Sequence, residues 1–523
     1  MQDQKLFVDS ELPRIAAGPS AQQQPPRVCR PDRQQMLMRS CLLEQLVPPQ
    51  HQVRTLWDVV LQLDLSGFYA SLQCRGSSAG RPATDPQLLV ALLLWAATQG
   101  ISSCREIDRL CQEHDAYKWL CGGVGINYHT LSSFRTDHAK ALEELFINVL
   151  AMLICHGLVN VHRITQDGLR VRASAGLNSF KGKKSLEEAL AQATAQVEAL
   201  KVQAEKESAL PQDQQRSARE RAAQERAARE RQERVEQALA TIPQLQQIKD
   251  HRHGKKKDQQ EAKASISDPQ ARKMKMPDSG FRPAYNIQVV ADTQSRAILA
   301  VDVTDQGTDQ QQSEPLRQEV QRLAQKAQEL CLAKQKQDEQ QQQQSEQHQM
   351  QQDQPHQVQA EQSQQMQQDQ PRQMHSEQPP QFQPPQQHSA GADQPQSPRF
   401  TVEEHLYDGG YINLSTIERS EKEGVKIYAP PKATTARPDP YTPVPGDSAE
   451  LIAWRQRMGT PQAKEIYQQR ASTSETINAD LRCYRSLEQF AVRGIDKVRC
   501  VALWSALAYN LMHFGKAILS LHA

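Results

Sequence analysis

The sequence predicts an α/β protein in which an all-helical N-terminal part precedes a mixed, partly antiparallel sheet. Three observations carry this prediction. Residues 84 to 157 recur in apolar character at helical spacing between clear start and stop signals. At Val161 the pattern switches abruptly to V-H-R-I-T-Q-D-G-L-R-V-R, alternating with the period of a strand. Tyr285 to Asp292 and Ala297 to Asp305 then read as two strands joined by Thr293 to Ser295, which makes an antiparallel hairpin their natural pairing.

Taken in order, residues 1 to 60 form a Pro- and Gln-containing extension in which apolar residues begin to recur near Leu42 to Leu63. The helical domain is expected over 61 to 158. Asp85 followed by Pro86 is an N-cap with proline in the first turn, and Gly100 stands where a C-terminal stop belongs. Leu88 to Ala97 is the longest apolar run, at about half the length of a membrane-spanning helix, and reads as a core helix. Ser103 and Glu106 form a capping box. Thr130 is placed to cap a longer helix that carries Leu131, Phe134, Leu142, Leu145, Phe146, Val149 and Leu153, and Gly157 ends it. A catalytic domain is expected over 159 to 523, interrupted twice. Residues 185 to 250, rich in Ala, Glu, Gln and Arg with Leu186, Leu190, Val197 and Leu200 near heptad spacing, predict a helical hairpin broken at Pro211. Residues 334 to 399 are dominated by Gln and predict a disordered insertion. Order returns with a strand to Asp408, the turn Gly409-Gly410, a helix from Asn413 to Glu423, the strand Val425 to Tyr428, a Pro-rich loop, and a helical C-terminal part opening at Thr460 and Pro461.

The chain has 523 residues, with Lys plus Arg (62) balancing Asp plus Glu (61), so any surface for a polyanion must be local. Ten cysteines occur singly, without zinc-site spacing, and are expected to be reduced and mostly buried. The charged N-terminus and the absence of a spanning segment predict a cytoplasmic protein. No Gly-rich phosphate loop and no nucleophile elbow occurs, which argues against nucleotide-dependent and serine-hydrolase chemistry.

Three acids stand in suggestive settings. Asp167 in T-Q-D-G lies on or at the end of the alternating strand, and Asp408 in Y-D-G-G-Y ends another. Each, taken alone, is most often only a turn. Glu475 follows Tyr467 and Arg470 and precedes Arg482 at offsets 0, 3, 8 and 15. At about 100° per residue these fall within an arc of roughly 140° on one continuous helix. Such spacing is also common on solvated helix faces.

Together these residues and several longer stretches are similar to bacterial insertion-sequence DDE transposases of the IS4/IS5-type superfamily, most closely the IS1182 group. The stretches are G-R-P-A-T-D-P at Gly80 to Pro86, H-T-L-S-S-F-R at His129 to Arg135, D-G-L-R-V-R-A-S-A at Asp167 to Ala175, F-R-P-A-Y-N-I-Q at Phe281 to Gln288 and R-G-I-D-K-V-R at Arg493 to Arg499. The resemblance implies an RNase H-like core in which Asp167, Asp408 and Glu475 hold two Mg²⁺ or Mn²⁺ ions and cut and join DNA. It further implies that Tyr467, Arg470 and Arg482 meet DNA, as members of the family's tyrosine, arginine, glutamate and lysine signature. Two departures are visible: the Arg470 to Glu475 gap is one residue longer than in IS4-type members, and arginine stands at 482 where lysine is usual. The partners implied are double-stranded DNA, as terminal inverted repeats and target, and a second copy of the chain in a homodimer on DNA. The helical domain is the candidate DNA reader, with Arg81, Arg105, Arg109, His129 and Arg135 available, although a packing or dimerisation role is nearly as well supported. His251 to Lys257 and Arg272 to Lys275 are further basic stretches. The alternatives are an RNase H-like nuclease that does not join strands, and a catalytically impaired, transposase-derived DNA-binding or assembly protein.

Overall fold

The computed structural model describes residues 40–72, 74, 82–208, 218–252, 261–364, 400–435 and 438–521. Among the described residues a 3-10 turn (Leu43–Leu46) is followed by seven α-helices before the first strand: α1 (Gln52–Leu61), α2 (Ser66–Ala70), α3 (Pro86–Thr98), α4 (Cys104–Glu113), α5 (Asp115–Cys121), α6 (Tyr128–Asp137) and α7 (Ala139–Cys155). The expected start and stop signals act as read, except that the Glu106 carboxylate pairs with Arg109, so of the Ser103–Glu106 capping box only the Ser103 half forms. Asp85 accepts from the Gln87 amide, Ser103 accepts from the Glu106 amide, and Gly100 and Gly157 adopt positive φ. Every residue from Leu88 to Ala97 is buried. The helix expected from Thr130 is instead two, parted at His138, and Asn127 rather than Thr130 caps the first of them. The helix α1 runs across the expected boundary at residue 60 and buries Val53, Leu56, Val59 and Val60, so the extension contributes to the core.

The strand β1 (Arg163–Arg172) begins the sheet. After the short β2 (Phe180–Lys181) come the hairpin helices α8 (Lys183–Ser208) and α9 (Ala218–Arg252), then β3 (Ala264–Ser265), which pairs with β2. Leu186, Ala238, Ile242, Ala262 and Ala264 give the base of this hairpin its own small core. Pro211 and Arg81 lie outside the described residues, as do residues 253–257 of the first basic stretch.

The remaining strands are β4 (Arg272–Lys275), β5 (Phe281–Asp292), β6 (Ile298–Thr304), β7 (Glu404–Tyr407) and β8 (Lys426–Tyr428). Their order is β4-β5-β1-β7-β8, and β6 pairs with the second half of β5. The central strand β1 is antiparallel to β5 and parallel to β7, which is parallel to β8. The chain is thus a mixed α/β protein with the expected β5–β6 hairpin. The long helix α10 (Ser313–Gln364) precedes β7, α11 (Leu414–Lys422) joins β7 to β8, and α12 (Ala449–Gly459), α13 (Pro461–Tyr484) and α14 (Ile495–Ser520) complete the chain.

Three expectations are corrected here. The Gln-rich stretch, expected to be disordered over 334 to 399, continues α10 as helix to Gln364, and residues 365–399 lie outside the described residues; Gln and Glu are good helix formers, and a polar helix can extend from an anchored first turn without a core of its own. The segment expected to be a loop before Thr460 contains α12, capped by Ser448 and burying Leu451, Trp454 and Met458. The packing of the helical layer on the sheet is a finding beside these corrections: the two contribute to one core cluster with members from Val47 to Ile518. Finally, Cys155 and Cys331 are joined as a disulfide, with Cα atoms 5.4 Å apart, because α10 packs along α7. Of the other described cysteines, Cys104, Cys121 and Cys500 are buried, whereas Cys41, Cys74 and Cys483 are exposed.

Buried between the helical layer and the sheet, α14 fastens the two together. Arg499 pairs with Glu143 of α7 (3.0 Å) and Asp302 of β6 (3.3 Å). Asn510, fully buried, accepts from the Ile298 amide (2.9 Å) and donates to its carbonyl (2.8 Å), satisfying the start of β6. No helix among the described residues is long and apolar enough to cross a membrane.

Candidate active site

The site is built where α13 lies across β1 and the end of β7. Along β1 alternate side chains point to opposite faces of the sheet. Thr165 and Asp167 face α13. The buried Thr165 hydroxyl bonds the Ser474 hydroxyl (2.9 Å), and Asn478 Nδ2 donates to Asp167 Oδ2 (3.0 Å). Arg470 Nη2 stands 3.1 Å from Asp167 Oδ1 and 3.9 Å from Asp408 Oδ2. Arg470, Ser474 and Asn478 are four residues apart, so one stripe of a single helix supplies all three contacts. Helix α13 is continuous through Ser472 to Ser474, with Thr460 as its cap and Pro461 in its first turn.

Asp167 sits in mid-strand, paired in register with Val289, and does not end the strand. Gly168 therefore makes no turn. A Cβ at Gly168 would fall 2.4 Å from Asp309 Oδ1 and 2.9 Å from both Asn286 Oδ1 and Gln288 Nε2. The glycine lets a polar cluster press against the strand on the face opposite Asp167. In that cluster Asp309 Oδ1 accepts from Asn286 (2.7 Å) and Gln288 (2.8 Å), while Gln288 Oε1 accepts from Gln166 (3.0 Å) and from the Tyr411 hydroxyl (2.5 Å). Gln166, Asn286, Gln288 and Tyr411 are almost wholly buried, so this network holds β1 and β5 in fixed register beneath the acid.

Asp408 immediately follows β7. Its carboxylate folds back to accept from the Gly410 amide (2.6 Å), and a Cβ at Gly410 would lie 2.8 Å from Asp408 Oδ1. Neither Gly409 nor Gly410 adopts positive φ, so Gly410 serves close approach rather than left-handed backbone. Next in the chain, Asn413 caps α11 and Gly424 ends it at φ +83°.

Electrostatically the two aspartates differ. Burial pushes the Asp167 carboxyl above its ordinary range, and the nearby Asp408 and Asp309 add to this, partly opposed by Arg470 and by the Gly168 N–H. Asp408 is twice as exposed, with 41% of its side-chain surface open against 20% for Asp167. Tyr467, one turn before Arg470, is half-buried beside the pair, and burial raises its phenol.

The sequence-predicted residues are thus only partly assembled. Asp167, Asp408, Arg470 and Tyr467 come together. Glu475 lies on the outer flank of α13, exposed and without a hydrogen bond or ion pair among the described residues, one turn from Asn478. Among the described residues no three acidic, histidine or cysteine side chains form a ready metal cluster. Arg482 is half-exposed and likewise unbonded. Arg135, expected at a DNA-facing surface, is buried; its guanidinium donates to the Ser102 carbonyl (2.5 Å) and its own carbonyl accepts from Trp504 (3.1 Å). It knits α6 to its neighbours. Of the other cations considered, Arg105 lies over the Tyr128 ring (5.0 Å), Arg109 pairs with Glu106 and Glu113, and His129 is exposed. Asn478 and the Asp309 network escaped sequence reading, since an amide on a polar helix carries no distinguishing signal.

Two family models match the chain, one described as a transposase domain over residues 42–137 and one as a transposase DDE domain over residues 447–514. The first covers α1 to α6; the second covers α12, α13 and most of α14, including Tyr467, Arg470 and Glu475, but neither Asp167 nor Asp408. No curated protein and no solved structure matches the chain. The two matches, one in the helical layer and one in the helices that back the acidic site, support an insertion-sequence DDE transposase, a mobile-element protein of DNA transposition.

Proposed function

We propose that the chain cuts DNA at the ends of its insertion sequence and joins the freed ends to a target, using Asp167 and Asp408 with Glu475 as the third acid. The observation that carries this reading is the meeting of two sequence-distant aspartates, one in mid-strand and one past a neighbouring parallel strand, at a single guanidinium nitrogen. The sheet order supports an RNase H-like core, with β1 central, the antiparallel β5–β6 hairpin joined to it through the antiparallel β5 on one side, and β7 and β8 parallel to it on the other. Assignment to the IS1182 group within the superfamily rests on the motif stretches.

The residues present fit divalent cations in two respects. A cationic group already rests between the two carboxylates, and hard oxygen donors are what Mg²⁺ and Mn²⁺ prefer. Asp167 and Asp408 would hold such ions, and Glu475, one turn before Asn478 on α13, would be the third acid of the set. Two ions at such a site supply activation of a water or 3′-hydroxyl and stabilisation of the leaving oxygen. The chain's own contribution is positional. The Asn478 amide fixes the rotamer of Asp167, the buried Gln166–Gln288–Tyr411 network keeps its strand from shifting, and the Gly410 amide fixes Asp408. Tyr467 and Arg470 would meet the DNA backbone at the site, and Arg482 one to two turns beyond it. Because both reactions use one site, hydrolysis without joining needs the same residues. A homodimer on paired ends is expected, as is a DNA surface on the helical layer.

The test is Mn²⁺-dependent cleavage of a labelled duplex carrying the element's own end, by the wild type and by Asp408→Ala, followed by a strand-transfer assay with pre-cut ends. Cleavage by the wild type alone supports the site. Equal cleavage by both proteins would overturn it, and cleavage without joining would reduce the activity to that of a nuclease.

A further inference from the structure

Every oxygen of the two aspartates that faces α13 is already engaged. Asp167 Oδ1 faces Arg470 (3.1 Å) and accepts from the Gly168 amide (3.0 Å), and Oδ2 accepts from Asn478 (3.0 Å). Asp408 Oδ1 accepts from Gly410 (2.6 Å), leaving Oδ2 to Arg470 (3.9 Å). Arg470 itself is held by little else. Its side chain is 13% exposed, its Nε is buried without a partner, and among the described residues its ion pairs are with these two aspartates. A guanidinium in that position screens two carboxylates from each other in a partly desolvated setting, where like charges repel strongly.

We propose that Arg470 is a built-in counter-cation that closes the acidic pair until a divalent ion replaces it, so that the guanidinium and the metal exclude one another. The inference rests on the reading of Asp167 and Asp408 as metal ligands and adds a second role for Arg470. Leaving the pair, Arg470 becomes an unpaired cation at the mouth of the site. With its Nε already unpartnered, it is then free to take a phosphate as a forked donor. Occupation of the acids and binding of the DNA backbone would thereby be coupled through one side chain. Coupling of this kind is reciprocal: a phosphate that draws Arg470 away must also favour the metal.

The experiment is a titration of the full chain with Mn²⁺ alone, without DNA, read by the free-ion electron paramagnetic resonance signal. Removing the competing charge in Arg470→Gln should tighten Mn²⁺ binding by about tenfold or more, and adding Asp408→Asn to that variant should abolish the gain. Unchanged or weaker binding by folded Arg470→Gln, with wild-type binding that depends on Asp408, would overturn this inference alone. Binding indifferent to Asp408 in both proteins would overturn the metal-site reading and this inference with it. Should Arg470→Gln not fold, the wild type carries the test through its arginine side-chain ¹⁵N signals, that of Arg470 being assigned by its loss in Arg470→Lys. That signal should move from its paired position on saturation with Mg²⁺, and a signal that stays in place would refute the exchange.

Discussion

Helix α13 treats charge in opposite ways on its two flanks. Toward the sheet, Arg470, Ser474 and Asn478 are each bonded to a specific partner on β1 or beside β7. On the outer flank Glu475 and Arg482 are unbonded among the described residues. The first flank is held in place by folding: Ser474 and Asn478 need not reorganise during a reaction, and Arg470 starts it already seated on the two aspartates. The second lacks anything to hold it until a ligand arrives. The same helix therefore separates residues that define the site from residues that complete it, and substitutions on the two flanks should fail differently.

The largest effect is expected at the preorganised acid. Asp167→Asn should lower end cleavage by roughly a thousandfold or more, as loss of one member of a catalytic unit commonly does. Its effect on stability should have the opposite sign. Burial raises the Asp167 carboxyl in the folded chain, so between the ordinary carboxylate range and that raised value the folded state holds more protons than the unfolded one. Stability contributed by this group is then present at low pH and lost as pH rises through the raised value. Thermal melts from pH 4 to 8 should show the variant gaining on the wild type across that window. A variant that melts lower than the wild type at every pH would mean that the Arg470 pairing outweighs burial.

On the outer flank, Glu475→Gln should reduce cleavage by about a hundredfold while leaving the melting temperature unchanged, because an exposed, unpartnered side chain contributes within about 0.5 kcal/mol of nothing to the fold. Full activity in this variant would remove Glu475 from the acidic set. Asn478→Ala, back on the sheet side, should cost about ten- to a hundredfold in activity, the scale typical of a residue that orients a metal ligand. It should also cost about 1 kcal/mol in stability from the lost hydrogen bond. A variant that is destabilised but fully active per folded molecule would assign Asn478 to packing.

Much of this frame can be read in the chain because helices and strands announce themselves by period and punctuation. The alternation from Val161, the Asp85-Pro86 start, the turn at Thr293 to Ser295 and the Thr460-Pro461 start all fold as they read. What resists reading is whatever depends on a partner distant in sequence. Asp167-Gly168 resembles a turn, yet its glycine answers to the Asp309, Asn286 and Gln288 side chains from other segments. Asn478 is one amide among many, and only β1 gives it a task. Arg135 looks like a surface cation because its partner, the Ser102 carbonyl, is a backbone group that any sequence would supply. Cys155 and Cys331 meet only because α10 lies along α7, a packing that no local pattern encodes.

The smallest effect, and the most discriminating for the outer flank, belongs to Arg482. It lies near Glu475 on the helix surface, at about 20° around the axis from it at 100° per residue, and about two turns further along. With no partner among the described residues, it stands ready for a phosphate. Arg482→Ala should weaken binding to an element-end duplex by a few-fold and lower the slope of log affinity against log salt by about one, the signature of one lost phosphate contact. Arg482→Lys should restore the slope, since it keeps the charge, while recovering only part of the affinity if the guanidinium binds phosphate as a fork. An unchanged slope in Arg482→Ala, with turnover reduced at saturating DNA, would place Arg482 in the chemical step instead. The two flanks of α13 would then differ in when they engage the reaction rather than in what they touch.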